Sequence, residues 1–365
     1  MRSFPLVLGI ETSCDDTACA VLDGEGRVLS SVVSSQLASH RPYGGVVPEI
    51  ASREHLANWP AVAGEALARA GVALPEVGAV AATRGPGLVG SLLVGLALGK
   101  AIAFALDRPF YAVHHLEGHL YSPFLPPAGE DKPAAPPPDR FVGLVLSGGH
   151  SSLFRIGEGV EGGGIETLGE TRDDAMGEVF DKVGKRLGLP YPQGPRVDEL
   201  AERGDAAARP FATPTCGETL DFSYSGLKSQ TLLEIEKLER RLGPLVLEGL
   251  AVGDVPTPVL DLLAGFRAAA VAQVLDRLER LSGVIGLIGT GPIPLLAVSG
   301  GAAANRLLRR ELPAWAARHG VDLRLVALAY SGDNAAMIAH AALLRHRRGR
   351  CDDPFAAEAE SRIPL

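Results

Sequence analysis

One pattern occurs twice in this chain and constrains its fold more than any other feature. An apolar run, a short turn of small polar residues and a second apolar run make up residues 6–22, with the turn at 11–16. The same pattern recurs over residues 141–156, with the turn at 147–150. Two apolar runs joined by a tight turn predict a β-hairpin. The repetition predicts two similar domains, one built on each hairpin, with a cleft between them.

The remainder of each half alternates segments typical of strands with segments typical of helices. Strands that alternate with helices indicate an α/β fold. Pro48 and Gly71 mark the start and the end of one helix, because proline favours the first helical turn and glycine the position after the last. The expected helices lie at 49–70, 88–106, 174–187 and 258–281, with a last one that begins at Asn334.

A proline-rich segment, 122–140, separates the two halves and is interpreted as a surface linker. We therefore expect an N-terminal domain at 1–121 and a C-terminal domain at 141–365. The last helix is expected to pack back towards the N-terminal half. Segments 242–257 and 283–294 are interpreted as insertions in the C-terminal domain.

Length and composition are those of a soluble protein of two domains, with 365 residues, 46% hydrophobic and 21% charged. The apolar segment 89–106 raises the question of a membrane span, but Lys100 and its glycines favour a helix against a sheet. The N-terminus lacks the apolar core of a signal peptide, and the four cysteines form no CxxC pair. A reducing, cytoplasmic location without a membrane is expected. A net charge of −8 argues against binding nucleic acid through bulk charge.

The polar turns carry residues suited to phosphate binding and proton transfer. Ser147-Gly148-Gly149-His150 lets a ligand approach the backbone closely, although two unrelated hairpins explain the spacing equally well. Ser299-Gly300-Gly301 follows a predicted strand, so it and Asn305 could hold a nucleotide at a helix N-terminus, unless this is a plain helix start. The candidates for handling a proton are Glu11, Asp15 and Asp16.

His115 and His119 form the strongest single pattern, because side chains at i and i+4 share one helix face and can bind one metal ion. A third ligand is needed, and Asp333, before the last predicted helix, is the candidate. A zinc peptidase needs a glutamate directly after the first histidine. Here Glu117 stands at i+2, about 200° around the helix, so it points away and a peptidase is disfavoured.

The chain resembles a family, the bacterial tRNA adenosine threonylcarbamoyltransferases known as TsaD, whose other name is O-sialoglycoprotease-like proteins. The resemblance runs in family order over nearly the whole chain. It is carried by Gly9-Ile10-Glu11-Thr12-Ser13-Cys14-Asp15-Asp16-Thr17, the stretch from Tyr43 to His55, Gly85-Pro86-Gly87-Leu88, His114 to His119, Ser147 to His150, Phe180-Asp181-Lys182, Gly194-Pro195, Ser223 to Lys228, Gly300-Gly301 with Asn305, and Asp333 to Ala339.

The resemblance implies the fold of actin, sugar kinases and heat-shock ATPases, with two RNase H-like domains around a nucleotide cleft. It implies one divalent metal, Fe²⁺ first with Zn²⁺ or Mg²⁺ as alternatives, on residues matching His115, His119 and Asp333. It implies transfer from threonylcarbamoyl-AMP to the adenosine 3′ of the anticodon in tRNAs reading codons that start with A. The implied partners are tRNA, a degenerate paralogue (TsaB-like) and a small P-loop ATPase (TsaE-like). The adenylate would contact Val145, Leu146, Ser147, Gly148, Gly149, Asp181, Gly194, Asp198 and Asn305.

The chain departs from the family pattern before the metal aspartate, where Ser331-Gly332 replaces Cys-Thr. Two other functions compete with the transferase. An ATPase or kinase of the same fold would share both phosphate turns but would not need the histidine pair. A non-catalytic paralogue would have lost the histidines and the Ser-Gly-Gly-His turn, and this chain keeps both.

Overall fold

The computed structural model describes residues 5–157, 164–285 and 294–365. The chain forms two compact units. Unit 1 is Met1–Pro138 together with Val326–Leu365, and unit 2 is Asp139–Leu325.

Unit 1 contains a five-stranded sheet in the order β3-β2-β1-β4-β5 within the described part of the chain. The first three strands are antiparallel, and β4 and β5 continue the sheet parallel to β1. Its strands are β1 (Leu6–Glu11), β2 (Asp16–Leu22), β3 (Val28–Ser35), β4 (Val77–Gly85) and β5 (Phe110–His114). Its helices are α1 (Leu37–His40), α2 (Pro48–Ala70), α3 (Val89–Leu106), α4 (His115–Tyr121) and α10 (Ala335–Arg347).

Unit 2 repeats this arrangement with a sheet in the order β10-β9-β6-β7-β8 among its described residues. The hairpin partners β6 and β7 are antiparallel, and β9 and β10 are parallel to β6. The repeat predicted from the two polar turns is therefore confirmed strand by strand. The strands are β6 (Phe141–Leu146), β7 (Ser151–Ile156), β8 (Ile165–Glu170), β9 (Leu295–Ser299) and β10 (Asp322–Leu325). The helices are α5 (Met176–Arg186), α6 (Gly194–Ala201), α7 (Ser225–Leu242), α8 (Thr257–Ile285) and α9 (Arg306–His319).

Local sequence signals account for the helix ends in α2. The helix begins at Pro48, and Gly71 follows its last residue with a left-handed φ of 66°, a conformation that glycine adopts without steric cost. The predicted helix at 49–70 is thus confirmed to within one residue.

Two helices, α3 and the segment Thr257–Ser282 of α8, have the length and apolarity of a membrane span. In the structure 72% of the α8 segment is buried, so its apolar residues belong to the core of unit 2. Only 33% of α3 is buried. One face of α3, including Leu92 and Leu96, packs on the sheet, whereas Leu93 and Phe104 are exposed. The expected packing of this helix against a sheet therefore holds for one of its faces.

The predicted C-terminal domain, 141–365, differs from the observed division, because residues from Val326 onwards group with unit 1. Helix α10 packs on β1 and β2. Gly9 on β1 makes this possible, since a Cβ there would stand 2.3 Å from the carbonyl oxygen of Ala335. The helix predicted to pack back towards the N-terminal half is thus an integral part of that half.

The proline-rich segment also differs from a free surface linker at its start. Phe124 is buried, and its carbonyl accepts a hydrogen bond from the Ala135 amide at 2.9 Å. Of the two proposed insertions, 242–257 packs on unit 2, where Leu247 is buried and donates its amide to the Leu187 carbonyl. In the second, residues 286–293 lie outside the described residues.

His340 on α10 gives unit 1 a pH-dependent stability. Burial lowers the pKa of this imidazole from 6.5 to about 4, with the Arg347 charge adding to the effect and the Tyr121 carbonyl opposing it. A depressed pKa in the folded state stabilises the protein above pH 6.5, and this stabilisation is lost as the pH falls towards 4. We expect the wild type to lose about 3 kcal/mol more unfolding free energy between pH 7 and pH 4 than His340→Gln. Urea titrations of both proteins measure this, and parallel pH curves would contradict it.

Candidate functional site

Helix α4 begins directly where β5 ends, so the sheet fixes the start of the helix that carries both histidines. The side chain of His114 caps α4 by accepting a hydrogen bond from the Leu116 amide at 3.1 Å. Its other ring nitrogen lies 3.1 Å from the carbonyl oxygen of Ile363, near the C-terminus. The first turn of α4 is therefore held on both sides.

His115, His119 and Asp333 come together in unit 1 as the sequence predicted. The Nε2 atoms of the two histidines lie 3.4 and 3.2 Å from the same oxygen, Oδ1 of Asp333. Among the described residues, this is the group of His, Cys, Asp and Glu side chains placed to hold a metal, with ligand atoms within 4.8 Å of one another. Asp333 immediately precedes α10, whose first turn is capped by Asn334 through the Met337 amide.

The geometry of these three side chains fits a transition-metal ion. Ligands at 2.0–2.2 Å from a tetrahedral or octahedral ion stand about 3.0–3.5 Å apart. The two distances from Oδ1 of Asp333 fall within that range, and all three ligand atoms lie within 4.8 Å of one another. Two imidazoles and one carboxylate suit iron or zinc, whereas calcium and magnesium favour oxygen ligands. His119 is fully buried, and its Nδ1 has no hydrogen-bond partner among the described residues. The burial of this imidazole is therefore not explained by a hydrogen bond from Nδ1.

Glu11 supports this group from within the protein. Its side chain is fully buried and accepts hydrogen bonds from the Ser13 amide and the Thr83 hydroxyl, both at 2.5 Å. Its Oε2 also lies 3.2 Å from Nδ1 of His115, the ring nitrogen opposite Asp333. A carboxylate behind a ligating histidine fixes the ring and makes it a better ligand. Of the three acidic residues in the first turn, Glu11 is thus placed to orient His115.

The electrostatics of the cluster favour a cation. Burial by itself lowers the pKa of His115, but the Asp333 and Glu11 carboxylates outweigh it and raise the pKa to about 10. Burial opposes ionisation of Asp333, yet the charge and hydrogen bond of His115 hold its pKa well below the ordinary value. Two ionised carboxylates therefore surround His115, a field that favours a positive ion at this position.

Glu117 takes no part in the cluster. Its carboxylate is paired with Arg345, which also donates to the Ala112 carbonyl at 3.0 Å. The sequence-based expectation that Glu117 points away from the metal ligands is confirmed. Glu117 is therefore not placed to act as the general base that a metallopeptidase of this type would use.

Asp15 and Asp16 lie in and after the turn between β1 and β2. The backbone carbonyl of Asp15 accepts a hydrogen bond from the backbone N–H of Gln36 at 2.9 Å. Burial raises the pKa of Asp16 to about 7, with a hydrogen bond from Ser35 acting in the opposite direction and the Asp333 charge adding to the rise. A carboxyl group with this pKa can hold or release a proton near neutral pH.

In unit 2, the predicted Ser147–His150 turn is tightly closed. The Ser147 amide donates to the His150 carbonyl at 2.7 Å, and the His150 amide donates to Oγ of Ser147 at 3.1 Å. Neither Gly148 nor Gly149 has a positive φ, so backbone conformation does not require glycine at either position. No heavy atom of the described residues lies within 4 Å of a Cβ built on either glycine, which leaves their backbone open to a ligand.

In the turn after β9, Gly300 has a conformation that requires glycine. Its φ is +94°, and a Cβ there would stand 2.2 Å from the carbonyl oxygen of Leu146 at the end of β6. The turn after β9 can therefore lie directly beside β6 only with glycine at this position.

The other predicted adenylate contacts form two pairs within unit 2. Oδ1 of Asp181 on α5 accepts a hydrogen bond from the Gly194 amide at 2.7 Å. Oδ1 of Asp198 on α6 accepts from Nδ2 of Asn305 at 2.9 Å. The Asn305 side chain in turn caps α9 by accepting from the Leu308 amide at 3.0 Å. The first pair thus links α5 to the start of α6, and the second links α6 to the start of α9.

Arg267 is a residue that sequence reasoning missed. It lies on α8, is almost fully buried, and contacts Oδ1 of Asp198 at 3.2 Å as well as the Glu202 carboxylate. The available signal was that Arg267 lies among the most apolar residues of α8, a helix that carries two further arginines, Arg277 and Arg280. Its partners lie some 65 residues away in the chain, so local periodicity could not identify them.

Comparison with solved structures defines the class of protein. HypF from T. kodakarensis aligns with a TM-score of 0.57 and 16% identity, covering 95% of this chain and 48% of that one. The (R)-2-hydroxyglutaryl-CoA dehydratase component A of Acidaminococcus fermentans aligns with a TM-score of 0.52 and 14% identity, covering 94% and 98%. At these identities the likeness shows the fold alone, which is that of the actin, sugar kinase and heat-shock ATPase class predicted from the sequence.

Sequence comparison then gives the family. The family model described as tRNA N6-adenosine threonylcarbamoyltransferase, TsaD, matches residues 27–340. A protein of that name from Pelobacter propionicus is 47% identical, over 92% of this chain and 90% of the relative. Another from Syntrophobacter fumaroxidans is 45% identical, over 98% and 99%. The chain belongs to the TsaD family.

Proposed function

We propose that this protein transfers the threonylcarbamoyl group of threonylcarbamoyl-AMP to the N6 amine of the adenosine 3′ of the anticodon, in tRNAs that read codons starting with A. The observation that supports this proposal most directly is that His115, His119 and Asp333 lie together in a chain of the TsaD family. A kinase or ATPase of the same fold needs no such group.

The reaction is an acyl transfer. The N6 nitrogen attacks the carbamoyl carbonyl carbon, a C–N bond forms, the C–O bond to phosphate breaks, and AMP leaves with the phosphate oxygen. The amine loses one proton. An aromatic amine is a weak nucleophile, so the protein must fix its position and stabilise the charge that develops on the carbonyl oxygen.

In this proposal His115, His119 and Asp333 would hold one divalent metal, Fe²⁺ in preference to Zn²⁺ or Mg²⁺. When bound, such an ion supplies Lewis acidity towards a phosphate or carbonyl oxygen. The contribution of Glu11 is to hold Nδ1 of His115, which fixes the ring and directs its Nε2 towards Asp333.

The residues proposed to bind the adenylate are those of unit 2. Val145 and Leu146 end strand β6 and place Ser147 and the open backbone of Gly148 and Gly149 at its carboxyl end. Backbone amides in such a turn donate to phosphate or to a developing oxyanion. The amide of Asn305 is already oriented by Asp198, so it can present its remaining hydrogen-bonding capacity to a nucleoside without losing entropy.

The proton from N6 needs an acceptor, and the three acidic candidates differ in this respect. Glu11 is saturated with hydrogen bonds and fully buried, which suits orientation rather than proton uptake. The raised pKa of Asp16, about 7, suits proton uptake near neutral pH. Asp15 remains a candidate on position alone.

We further propose that the protein acts in the cytoplasm together with a TsaB-like paralogue and a TsaE-like P-loop ATPase. The net charge of −8 supports this, because an acidic chain gains little from counterion release on tRNA and companions can supply positive charge.

A test of the function supplies preformed threonylcarbamoyl-adenylate, unmodified tRNA and the companion proteins, without ATP. We expect modified adenosine, detected by mass analysis of nucleosides. Asn305→Ala should raise the KM for the adenylate about fivefold, the equivalent of one neutral hydrogen bond. Asp181→Ala should raise it further, because its carboxylate makes a charge-assisted bond to the Gly194 amide.

Asp205→Ala is the matched control, since Asp205 caps the Ala207 amide at 2.9 Å in the same unit but lies outside the proposed site. It should leave the KM unchanged. The kinase alternative predicts that Asn305→Ala impairs ATP turnover and leaves use of the adenylate untouched. Absence of modified adenosine with preformed adenylate and companions present would disprove the transferase function.

A further inference from the structure

A buried polar network in unit 1 connects the turn between β1 and β2 with the glycine-containing loop 41–47. Its members are Gln36, His40 and His55, with the Thr17 hydroxyl at one side. The three larger side chains are at most 1% exposed. Buried polar groups of this size persist in a core only when their hydrogen bonds are satisfied.

Three backbone groups set the direction of every hydrogen bond in this network. At one end the Cys14 carbonyl, which can only accept, lies 3.0 Å from Nε2 of His55. In the middle the Ala51 carbonyl lies 3.3 Å from Nε2 of Gln36. At the other end the Val47 amide, which can only donate, lies 3.2 Å from Nδ1 of His40.

These fixed ends determine the protonation of both histidines. His55 must carry its proton on Nε2. Its Nδ1 therefore accepts hydrogen bonds from the side-chain Nε2 of Gln36 at 3.1 Å and from the Thr17 hydroxyl at 2.8 Å. The oxygen of Gln36 then faces Nε2 of His40 at 3.2 Å and accepts its proton. Nδ1 of His40 is left as the acceptor for Val47. This arrangement of protons gives each ring nitrogen of the two histidines a partner of the complementary kind, with both imidazoles neutral.

The network holds the turn that carries Asp15 and Asp16. Two consecutive carbonyls of that turn accept hydrogen bonds from residues of the network, the Cys14 carbonyl from Nε2 of the His55 side chain and the Asp15 carbonyl from the backbone N–H of Gln36 at 2.9 Å. Each of these two residues also contacts the other, so neither carbonyl can shift without breaking a buried hydrogen bond.

We propose that Gln36, His40 and His55 are positioning residues for the transfer reaction, a network of neutral Nε2–H imidazoles that fixes the Cys14–Asp15 backbone. The kinetic part of this inference rests on the proposed function. The tautomers of the two histidines do not depend on it.

The first experiment is ¹⁵N NMR of histidine-labelled protein at neutral pH, with His40 and His55 assigned by single substitutions. Both rings should show a protonated Nε2 and an unprotonated Nδ1. An Nδ1–H tautomer or an imidazolium at either residue overturns the proposal. In Gln36→Glu, a carboxylate oxygen replaces the amide facing Nδ1 of His55. His55 should then take up a second proton and appear as an imidazolium.

The second experiment measures kinetics of Gln36→Leu with preformed adenylate, tRNA and companions. We expect kcat to fall about tenfold, the effect of a small displacement of a reacting group, with an unchanged KM for the adenylate. Thr231→Val is the matched control, because it also removes a buried hydrogen bond, 2.8 Å to the Leu227 carbonyl, but in unit 2. It should keep full kcat. Equal losses of kcat in both variants, or a wild-type kcat in Gln36→Leu, would contradict a positioning role.

Discussion

Replacing His115 and His119 together by alanine is expected to abolish metal binding and adenosine modification while the chain remains folded. The change removes two of the three ligands and leaves Asp333 alone, so affinity should fall more than about 100-fold. Alanine preserves the helical propensity of α4. The unfolding free energy should nevertheless drop by about 3–5 kcal/mol, because Glu11 and Asp333 lose the imidazoles that compensate their charge.

Metal content after anaerobic loading with Fe²⁺ or with Zn²⁺ measures the first effect, and circular dichroism checks the fold. His340→Gln is the appropriate control, since it changes another fully buried histidine of unit 1 that lies outside the cluster. It should bind metal at the wild-type level. Full metal occupancy in the double alanine variant would show that the ligands are other residues.

Asp198→Ala is expected to have the second large effect, on both stability and donor binding. Its carboxylate accepts from Nδ2 of Asn305 and from the Arg306 amide, and it faces the buried guanidinium of Arg267. Loss of one partner of a buried ion pair costs about 3–5 kcal/mol. The KM for the adenylate should rise more than in Asn305→Ala, because Asn305 loses its orienting acceptor.

A second substitution separates these two effects. Adding Arg267→Met to Asp198→Ala removes the buried cation that has lost one of its two carboxylate partners and keeps only Glu202, so we expect part of the lost unfolding free energy to return. The KM should stay high, because Asn305 still lacks its acceptor. Denaturant titrations and adenylate kinetics of Asn305→Ala, Asp198→Ala and the double variant test this. If the KM recovers together with the stability, Asp198 acts on the fold of unit 2 and not on the donor site.

Much of the architecture follows from local sequence patterns. The hairpins around 11–16 and 147–150 were predictable because alternating apolar runs and small polar turns act over a few residues. The start and end of α2 followed from Pro48 and Gly71 for the same reason. The i, i+4 spacing placed His115 and His119 on one face, and the family resemblance supported Asp333 as their third partner.

Other features depended on contacts between residues far apart in the chain, which no local period encodes. The grouping of α10 with unit 1 depends on the close approach of Gly9 to Ala335, more than 300 residues away. The position of Glu11 depends on two such contacts, since its carboxylate lies between Thr83 and His115. Burial explains why these partners are specific, since a charged or polar group removed from water must find its hydrogen bonds within the protein. The sequence by itself therefore determined most of the helices and strands and the three candidate metal ligands, and the tertiary structure decided which distant residues hold those side chains in place.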